Sequence, residues 1–418
     1  MAQNFTKDLQ YYKFCMYGFL KDLRFFEPFL ILFFLEKGFS FLQIGTLYAV
    51  REILINIMEI PTGVVADSIG RRRSLILSFF FYIISFIIFF ISGKYAIFIV
   101  AMLFYAIGDA FRTGTHKAMI FEYLKINGWK DQRVHYYGHT RAWSQMGAAV
   151  SALIAGVIVF YSGSYQYIFL YSTVPYLLDL FLVWSYPKAL DGNMEAVKID
   201  GFKVRTKAVV KEFIYSFGNL HVIKAIANLS VHSGFHKAIK DYLQPVLQTF
   251  AFSLPILIGI AEKQRSALII GIIYFVIYIL TSVASRKAGA ATERLKSTQK
   301  ALNITMILGY TMALFSGLFF HYSFFILSII LYIGIFIVEN LRTPIGIAYV
   351  SELYKQDILA TALSANSQAK SLMAAIVAPI LGFLADRFGV GIGLTIMALF
   401  LLITLPIYLA KKKQEVES

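Results

Sequence analysis

Ionisable side chains recur inside the long apolar runs of this sequence, and several share a helical face. Asp109, Arg112 and His116 stand at i, i+3 and i+7, which places them on one side of a helix. Glu339 and Arg342 repeat the acid–base spacing in the second half of the chain. A carboxylate three residues away can neutralise an arginine, whereas an arginine with spare N–H groups can bind a carboxylate or phosphate. The spacing therefore indicates either structural ion pairs or an anion site.

A second group combines histidines with a lysine. His232, His236 and Lys240 stand at i, i+4 and i+8, again on one helical face. Unperturbed histidines change charge near neutral pH, which suits proton coupling, although a histidine in an apolar segment also serves as a hydrogen-bonded packing residue. Two histidines at i, i+4 can bind a metal, but no carboxylate or cysteine completes the set at helical spacing. We therefore expect no metal and no other cofactor.

The charged groups within the apolar runs contain a small excess of bases. Ionisable groups in a bilayer interior are costly and mark functional sites by default. We expect these groups to bind an anionic or zwitterionic solute and to carry a coupling proton. The alternative is that neighbouring acids neutralise the bases and the set is structural. The candidate substrate-binding residues are Arg24, Arg112, Lys237, Lys240 and Arg342. The candidate proton-coupling or ion-pair residues are Asp22, Glu27, Glu52, Asp109, His116, His232, His236, Asp241 and Glu339.

The composition decides the environment of these residues. The chain has 418 residues, of which 58% are hydrophobic and 15% charged, and its mean hydropathy is +0.67. Soluble proteins carry about 25% charged residues, so the composition excludes a soluble enzyme and indicates a polytopic helical membrane protein. A net charge of +15 would suggest a nucleic-acid partner in a soluble protein, but here the charges lie between apolar runs and set topology. The single cysteine, Cys15, excludes disulfides and cysteine-based metal sites.

The apolar runs predict twelve spanning helices, because about 20 mostly apolar residues cross a bilayer. With a cytoplasmic N-terminus, the inward-facing loops carry most of the loop lysines and arginines, which predicts both termini in the cytoplasm of a plasma (bacterial inner) membrane. The predicted spans lie near residues 11–36, 41–66, 74–92, 95–124, 135–161, 165–187, 226–250, 266–288, 301–320, 323–353, 364–386 and 390–410.

The two halves of the sequence resemble each other. Residues 107–113, with Asp109 and Arg112, align with residues 337–343, and the match continues to Glu122 and Glu352. A repeat of two six-helix halves predicts a substrate site between them, near the bilayer midplane. The sequence thus divides into an N-terminal bundle, a cytoplasmic linker and a C-terminal bundle, at residues 1–187, 188–224 and 225–418.

The loop between the second and third predicted spans carries a family signature. Residues 63–73 read Gly-Val-Val-Ala-Asp-Ser-Ile-Gly-Arg-Arg-Arg. This resembles the signature loop of the major facilitator superfamily, Gly-x-x-x-Asp-x-x-Gly-Arg-Lys/Arg. The glycines permit close approach and a tight turn, the acid can face a helix N-terminus, and the arginines meet anionic headgroups. The candidate gating residues are Gly63, Asp67, Gly70, Arg71 and Arg72.

The resemblance implies an all-α membrane protein with twelve transmembrane helices in two pseudo-symmetric six-helix bundles. It further implies secondary active transport by alternating access, with spans 1, 4, 7 and 10 lining the cavity. We expect a monomer, embedded in lipid, that moves a small anionic or zwitterionic solute with protons or another coupling ion, and no enzymatic activity or nucleic-acid partner. Three alternatives remain: a polyspecific drug exporter of the same fold, a non-transporting receptor, and a membrane enzyme acting on lipid headgroups.

Overall fold

The computed structural model describes residues 5–192, 220–255, 259–353 and 356–410. Within these ranges every regular element is helical, which confirms the predicted all-α class. The helices of the first half are α1 (Leu9–Lys21), α2 (Leu30–Glu36), α3 (Phe41–Ile69), α4 (Arg71–Ile91), α5 (Tyr95–Arg112), α6 (Thr115–Ile126), α7 (Arg133–Ser162) and α8 (Tyr167–Trp184). Those of the second half are α9 (Leu220–Ile239), α10 (Leu243–Ser253), α11 (Glu262–Arg286), α12 (Ala288–Leu295), α13 (Thr298–His321), α14 (Phe325–Leu353), α15 (Gln356–Phe388) and α16 (Val390–Thr404).

Ten helical stretches among the described residues are long and apolar enough to cross a membrane. They match ten of the twelve predicted spans, so the count of twelve is not fully confirmed. The two remaining predictions, residues 11–36 and 226–250, correspond to interrupted helices. The ten stretches are Phe41–Glu59, Arg71–Ile91, Tyr95–Ile126, His135–Ser162, Tyr167–Trp184, Glu262–Arg286, Thr298–His321, Phe325–Glu352, Ser364–Phe388 and Val390–Ile407.

Both interruptions occur at charged residues. Helix α1 ends at Lys21, and a 3₁₀ turn at Glu27–Phe29 precedes α2. Helix α9 ends at Ile239, and a 3₁₀ turn at Lys240–Tyr242 precedes α10. Irregular backbone at membrane depth persists only where protein covers it or where it borders a wet cavity, and paired interruptions in two repeated halves point to a binding site. The interruptions therefore direct attention to these two charged segments.

Contacts between helices divide the chain into two compact units, and each takes a segment from the other half of the sequence. Helix α3 contributes to both. The predicted linker at 188–224 lies largely outside the described residues, and the bundle boundaries drawn from the sequence repeat stay a prediction. Among described residues, the first unit holds 5–29, 54–192 and 267–278, and the second holds 30–53, 220–266 and 279–410.

Glycines bring helices together inside each unit. In the first unit α1 packs against α7 and α8, and α4 packs against α5 and α8. A Cβ on Gly147 of α7 would overlap the backbone carbonyl of Phe19, so this contact between α1 and α7 requires glycine. In the second unit α9 packs against α15, and α13 packs against α14 and α16. There Gly45 of α3 lies against the backbone carbonyl of Ala378 in the same way.

The first turn of α3 is capped by a carboxylate from the end of α15. Asp386 accepts hydrogen bonds from the backbone N–H groups of Phe41 and Leu42, both at 2.8 Å. These N–H groups have no partner within their own helix, and a negative charge there is favoured by the helix dipole. Asp386 therefore joins two helices of the second unit that are far apart in sequence.

We expect Asp386→Ala to lower the free energy of unfolding by about 1–2 kcal/mol, because it removes a charged helix cap. Thermal unfolding of the purified protein in detergent measures the change. Arg387→Ala is the control, since Arg387 is exposed on the neighbouring position. Equal melting temperatures for the two variants would contradict the capping role.

Candidate functional site

The first unit contains a cavity of about 270 Å³ whose charged lining residues are mainly cations. The wall of this cavity is formed by the end of α1, the corner between α5 and α6, and α7. Glycine at position 114, with φ +78°, makes that corner possible. The charged side chains that line this first-unit cavity are Lys21, Arg112, Lys117 and Arg141, with Asp22 as the acid.

Arg112 is held in place by two neighbours. Its Nη2 contacts Oδ1 of Asp109 at 2.5 Å, and its Nε donates to the hydroxyl of Tyr82 at 3.1 Å. Tyr82 in turn donates to Asp109 at 2.5 Å, which closes a triangle of hydrogen bonds. Nη1 of Arg112 makes no hydrogen bond within the described part of the chain. The guanidinium therefore keeps a fixed orientation with N–H groups to spare for a ligand.

The lysines of the cavity differ in their partners. Lys21 pairs with Asp22 at 3.0 Å, and the Nε of Arg24 lies 3.8 Å from the same carboxylate. Lys117 instead lies over the ring of Tyr137, 5.5 Å from its centroid. Neither Lys117 nor Arg141 has an acid within ion-pair distance among the described residues. The cavity thus holds more positive charge than its own acid neutralises.

The remaining candidates of the first unit lie beside this cavity. The ring of His116 stacks on Tyr17 at 3.6 Å between centroids, and its Nε2 lies 3.3 Å from the hydroxyl of Tyr186. His116 is a lining residue, whereas Arg24 is not. Glu27 begins the 3₁₀ turn that follows Arg24.

Glu52 and Lys237 form an ion pair in the second unit. Glu52 is 1% exposed and contacts Lys237 at 2.5 Å and Arg51 at 3.0 Å. Lys237 also donates to the hydroxyl of Ser371 at 3.3 Å. Lys237, a candidate substrate-binding residue, and Glu52, a candidate proton-coupling residue, are thus bound to each other.

The 3₁₀ turn after α9 carries a second ion pair. Lys240 lies 3.2 Å from Oδ1 of Asp241, and Tyr48 donates to Oδ2 at 3.0 Å. Asp241 is buried, so its two partners replace the water it has lost.

Two histidines of α9, His232 and His236, lie in different surroundings. Nδ1 of His232 lies 2.9 Å from Oε2 of Glu339, and both residues are buried. The ring of His236 instead meets Phe336 edge-on, with 5.1 Å between centroids. The two histidines that share a face in the sequence therefore have separate partners, and only His232 pairs with an acid in the described structure.

Arg342 is enclosed by backbone and side-chain acceptors. It is 1% exposed and donates to the carbonyl of Leu302, to Thr305 at 3.3 Å, and to the carbonyl and side chain of Asn228 at 2.9 and 3.0 Å. The spacing that pairs Asp109 with Arg112 does not pair Glu339 with Arg342 among the described contacts. Arg342 still borders a second cavity of about 290 Å³, and its substrate role stays a prediction.

The signature loop is followed by a helix, α4, whose first turn is capped by an acid from another segment. Gly70 begins α4 with φ +94°, and the N–H of Arg72 donates to Asp191 at 2.7 Å. Arg71 reaches Glu122 at 3.7 Å. The side chain of Asp67 lies outside the described residues. Among those that are described, no atom beyond the chain neighbours and backbone of its own helix lies within 4 Å of the space that a Cβ on Gly63 would fill. The tight turn at Gly70 is present, and the gating roles of the five residues stay predictions.

Comparison with known proteins identifies the family. A profile of the Major Facilitator Superfamily matches residues 18–376. The chain belongs to this superfamily. It is 27% identical over 397 residues to the uncharacterized MFS-type transporter YxaM of Bacillus subtilis (strain 168), covering 92% of this chain and 90% of that protein.

Solved structures of transporters support the fold. The nucleoside transporter NupG superposes with a TM-score of 0.75 at 13% identity, over 96% of this chain and 99% of that one. A POT family transporter in complex with 5-aminolevulinic acid gives a TM-score of 0.67 at 16% identity, over 95% of both chains. The superfamily prediction is confirmed, and the protein is an integral membrane transporter rather than an enzyme.

Several residues of the first-unit cavity were absent from the predicted set. Lys21, Lys117 and Arg141 line it, and Tyr82 orients Arg112. Lys117 directly follows a candidate histidine and Lys21 directly precedes a candidate acid, which is a signal in the sequence. Nothing in the sequence singles out Tyr82 among 26 tyrosines.

The fixed ring of His232 leaves no room for a side chain at Gly309, so a substitution there should lower stability. A Cβ there would collide with Nε2 of His232, whose ring is buried and held by Glu339. We expect Gly309→Ala to cost about 1–3 kcal/mol of unfolding free energy, as overpacked cores do. Thermal unfolding in detergent measures it.

Gly138→Ala is the matched control for this substitution. Gly138 is helical, and in the described part of the chain no atom beyond its own helix backbone lies within 4 Å of its missing Cβ. Alanine there should therefore be neutral or stabilise by up to about 1 kcal/mol. Indistinguishable melting of the two variants would mean that the His232 ring moves freely.

Proposed function

We propose that this transporter moves a small anionic or zwitterionic organic solute across the plasma membrane, with protons as the coupling ion. The observation that carries the proposal is the first-unit cavity, which four cationic side chains line and where two of them, Lys117 and Arg141, have no acid partner in the described structure. Ionisable residues in a membrane-spanning region persist when they face a water-filled space and serve a ligand. A lipophilic cation would be repelled by this lining.

Arg112 is the proposed anchor for the anionic group. Its contacts with Asp109 and Tyr82 fix the guanidinium plane, so a carboxylate or phosphate can bind without further ordering of this side chain. Lys117 and Arg141, which have no acid partner in the described structure, supply further positive charge. The rings of Tyr17 and Tyr137 offer apolar contact for the organic part of the solute.

The ion pairs of the second unit are proposed as elements of the transport cycle. Glu52 with Lys237, Asp241 with Lys240, and Glu339 with His232 are each in contact in this state. A buried charge that loses its partner is costly, so any rearrangement must move both members or change the protonation of one. His232 and Glu339 suit the second course, because both can exchange a proton.

The ligands named for the structural neighbours are consistent with this proposal but do not carry it. One neighbour is a POT family transporter in complex with 5-aminolevulinic acid, a zwitterion, and another is a nucleoside transporter. At 16% and 13% identity these likenesses concern the fold alone. The charge on the cavity lining is the argument for an anionic group.

A charge series of ligands tests the proposal. A set of matched organic acids, amines and neutral amides is added to the detergent-purified protein, and the melting temperature is recorded. Binding raises the melting temperature, because a ligand at 100 times its Kd adds about 2.7 kcal/mol to the free energy of unfolding. We expect stabilisation by acids or zwitterions and none by amines. Stabilisation by lipophilic amines alone would favour the exporter alternative.

Arg112→Ala tests the anchor. Loss of one charged contact should weaken binding at least about tenfold and abolish uptake into proteoliposomes, while the folded protein remains. Lys125→Ala is the control, because Lys125 also pairs with an acid three residues away but is 54% exposed and outside the cavity. Normal uptake by Arg112→Ala would refute the role of Arg112. Binding without flux in the wild-type protein would indicate a receptor.

A further inference from the structure

Asp179 on α8 is a buried acid that none of the contacts described so far uses. Its side chain is 0% exposed, and neither carboxylate oxygen has a hydrogen-bond partner in the described structure. The buried acids of the candidate set, Glu52, Asp241 and Glu339, each have a partner within 3.2 Å. Asp179 is therefore chemically different from the ion-paired acids.

A carboxylate without hydrogen bonds in an apolar interior is strongly disfavoured, and such a group takes up a proton instead. The neutral acid costs far less to bury than the ion does. The geometry of Asp179 thus suits a carboxyl that carries a proton in this state of the protein.

The charged groups within interaction range of Asp179 both belong to the end of α1. They are Lys21 and Asp22, which form the ion pair on the wall of the first-unit cavity. The other titratable neighbours of Asp179 are the phenols of Tyr17 and Tyr186. About one turn before Asp179 in α8, the ring of Tyr176 packs against Tyr82 of α4. Lys21 is the one cation of this group that can serve either Asp22, a bound anion or an ionised Asp179.

We propose that Asp179 is a proton-binding site that couples proton movement to anion occupancy of the first-unit cavity. With an anion beside Lys21, the Asp179 carboxyl holds its proton. When the anion leaves, the carboxyl holds its proton less tightly and releases it on the more alkaline side of the membrane: the O–H bond breaks, the proton passes to water, and Lys21 balances the negative charge on Asp179. One proton therefore moves in the same direction as one anion. The anion half of this scheme rests on the function proposed above.

The coupling follows from charge repulsion. An anion and an ionised Asp179 compete for the same lysine, so each disfavours the other. Thermodynamic linkage then requires that protonation of Asp179 strengthens anion binding as much as anion binding strengthens protonation. The scheme predicts proton uptake when an anion binds at a pH alkaline enough to ionise Asp179 in the anion-free protein.

Infrared difference spectroscopy of the purified protein tests the proton site without any solute. A protonated carboxyl in an apolar site gives a C=O stretching band that an ionised carboxylate lacks. We expect the wild-type band at neutral pH to be lost in Asp179→Asn and kept in Asp241→Asn, which removes a buried ion-paired acid of the second unit. An unchanged band in Asp179→Asn, or an ionised Asp179, would overturn the assignment. Asparagine has the shape of the neutral acid, so the variant should melt like the wild type.

Calorimetric titration with sulfate tests the coupling, because sulfate keeps its charge across the neutral range. Titrations on the alkaline side of neutral pH, in two buffers of different ionisation enthalpy, count the protons taken up per anion. Wild-type affinity should fall by up to about tenfold per pH unit on the alkaline side, the limit for one linked proton, and Asp179→Asn should bind without proton uptake or pH dependence. Equal uptake in both proteins would refute the coupling. Absence of sulfate binding by the wild type would refute the anion cavity and the linked step, while the infrared band would still decide the proton site.

Discussion

A positive side chain that enters an apolar helix bundle loses its hydration, and this loss is the constraint on which the described sites depend. The protein meets it in three ways. Arg342 is surrounded by carbonyl and side-chain acceptors, Lys237 and Lys240 are matched with acids, and the cations of the first-unit cavity border open space. Of these three arrangements the last leaves the most positive charge available, and this is why the functional argument concentrates on that cavity.

The interrupted helices serve this arrangement. In an uninterrupted α-helix through residues 11–36, Lys21 and Asp22 would lie in the middle of a regular helix. Ending α1 at Lys21 instead places both at the cavity wall, next to a corner between α5 and α6 that presents Arg112. The interruption after α9 likewise holds Lys240 and Asp241 in a 3₁₀ turn with Tyr48. In both units the backbone departs from regular helix where its charges cluster.

The sequence predicted the helical class, the superfamily and the Asp109–Arg112 pair, because apolar length, the signature loop and i, i+3 spacing depend on local chemistry. It could not predict that Arg342 binds carbonyls of two other helices, since that depends on packing between α9, α13 and α14. The cap that Asp191 provides at α4 and the orientation of Arg112 by Tyr82 are also contacts between distant segments. Spacing gives the face of a helix, but the partner on that face comes from the tertiary structure.

The most direct test of the account is the sign of the electrostatic potential in the first-unit cavity. A cysteine is introduced by Gln145→Cys at the cavity wall and by Ser162→Cys at the exposed end of the same helix, since the native Cys15 is buried. Reaction rates are measured with anionic and cationic methanethiosulfonates of similar size. The account predicts that the anionic reagent is favoured at position 145 well beyond its preference at position 162, and that Arg112→Ala reduces this difference. Equal preferences, or faster reaction of the cationic reagent at position 145, would contradict it.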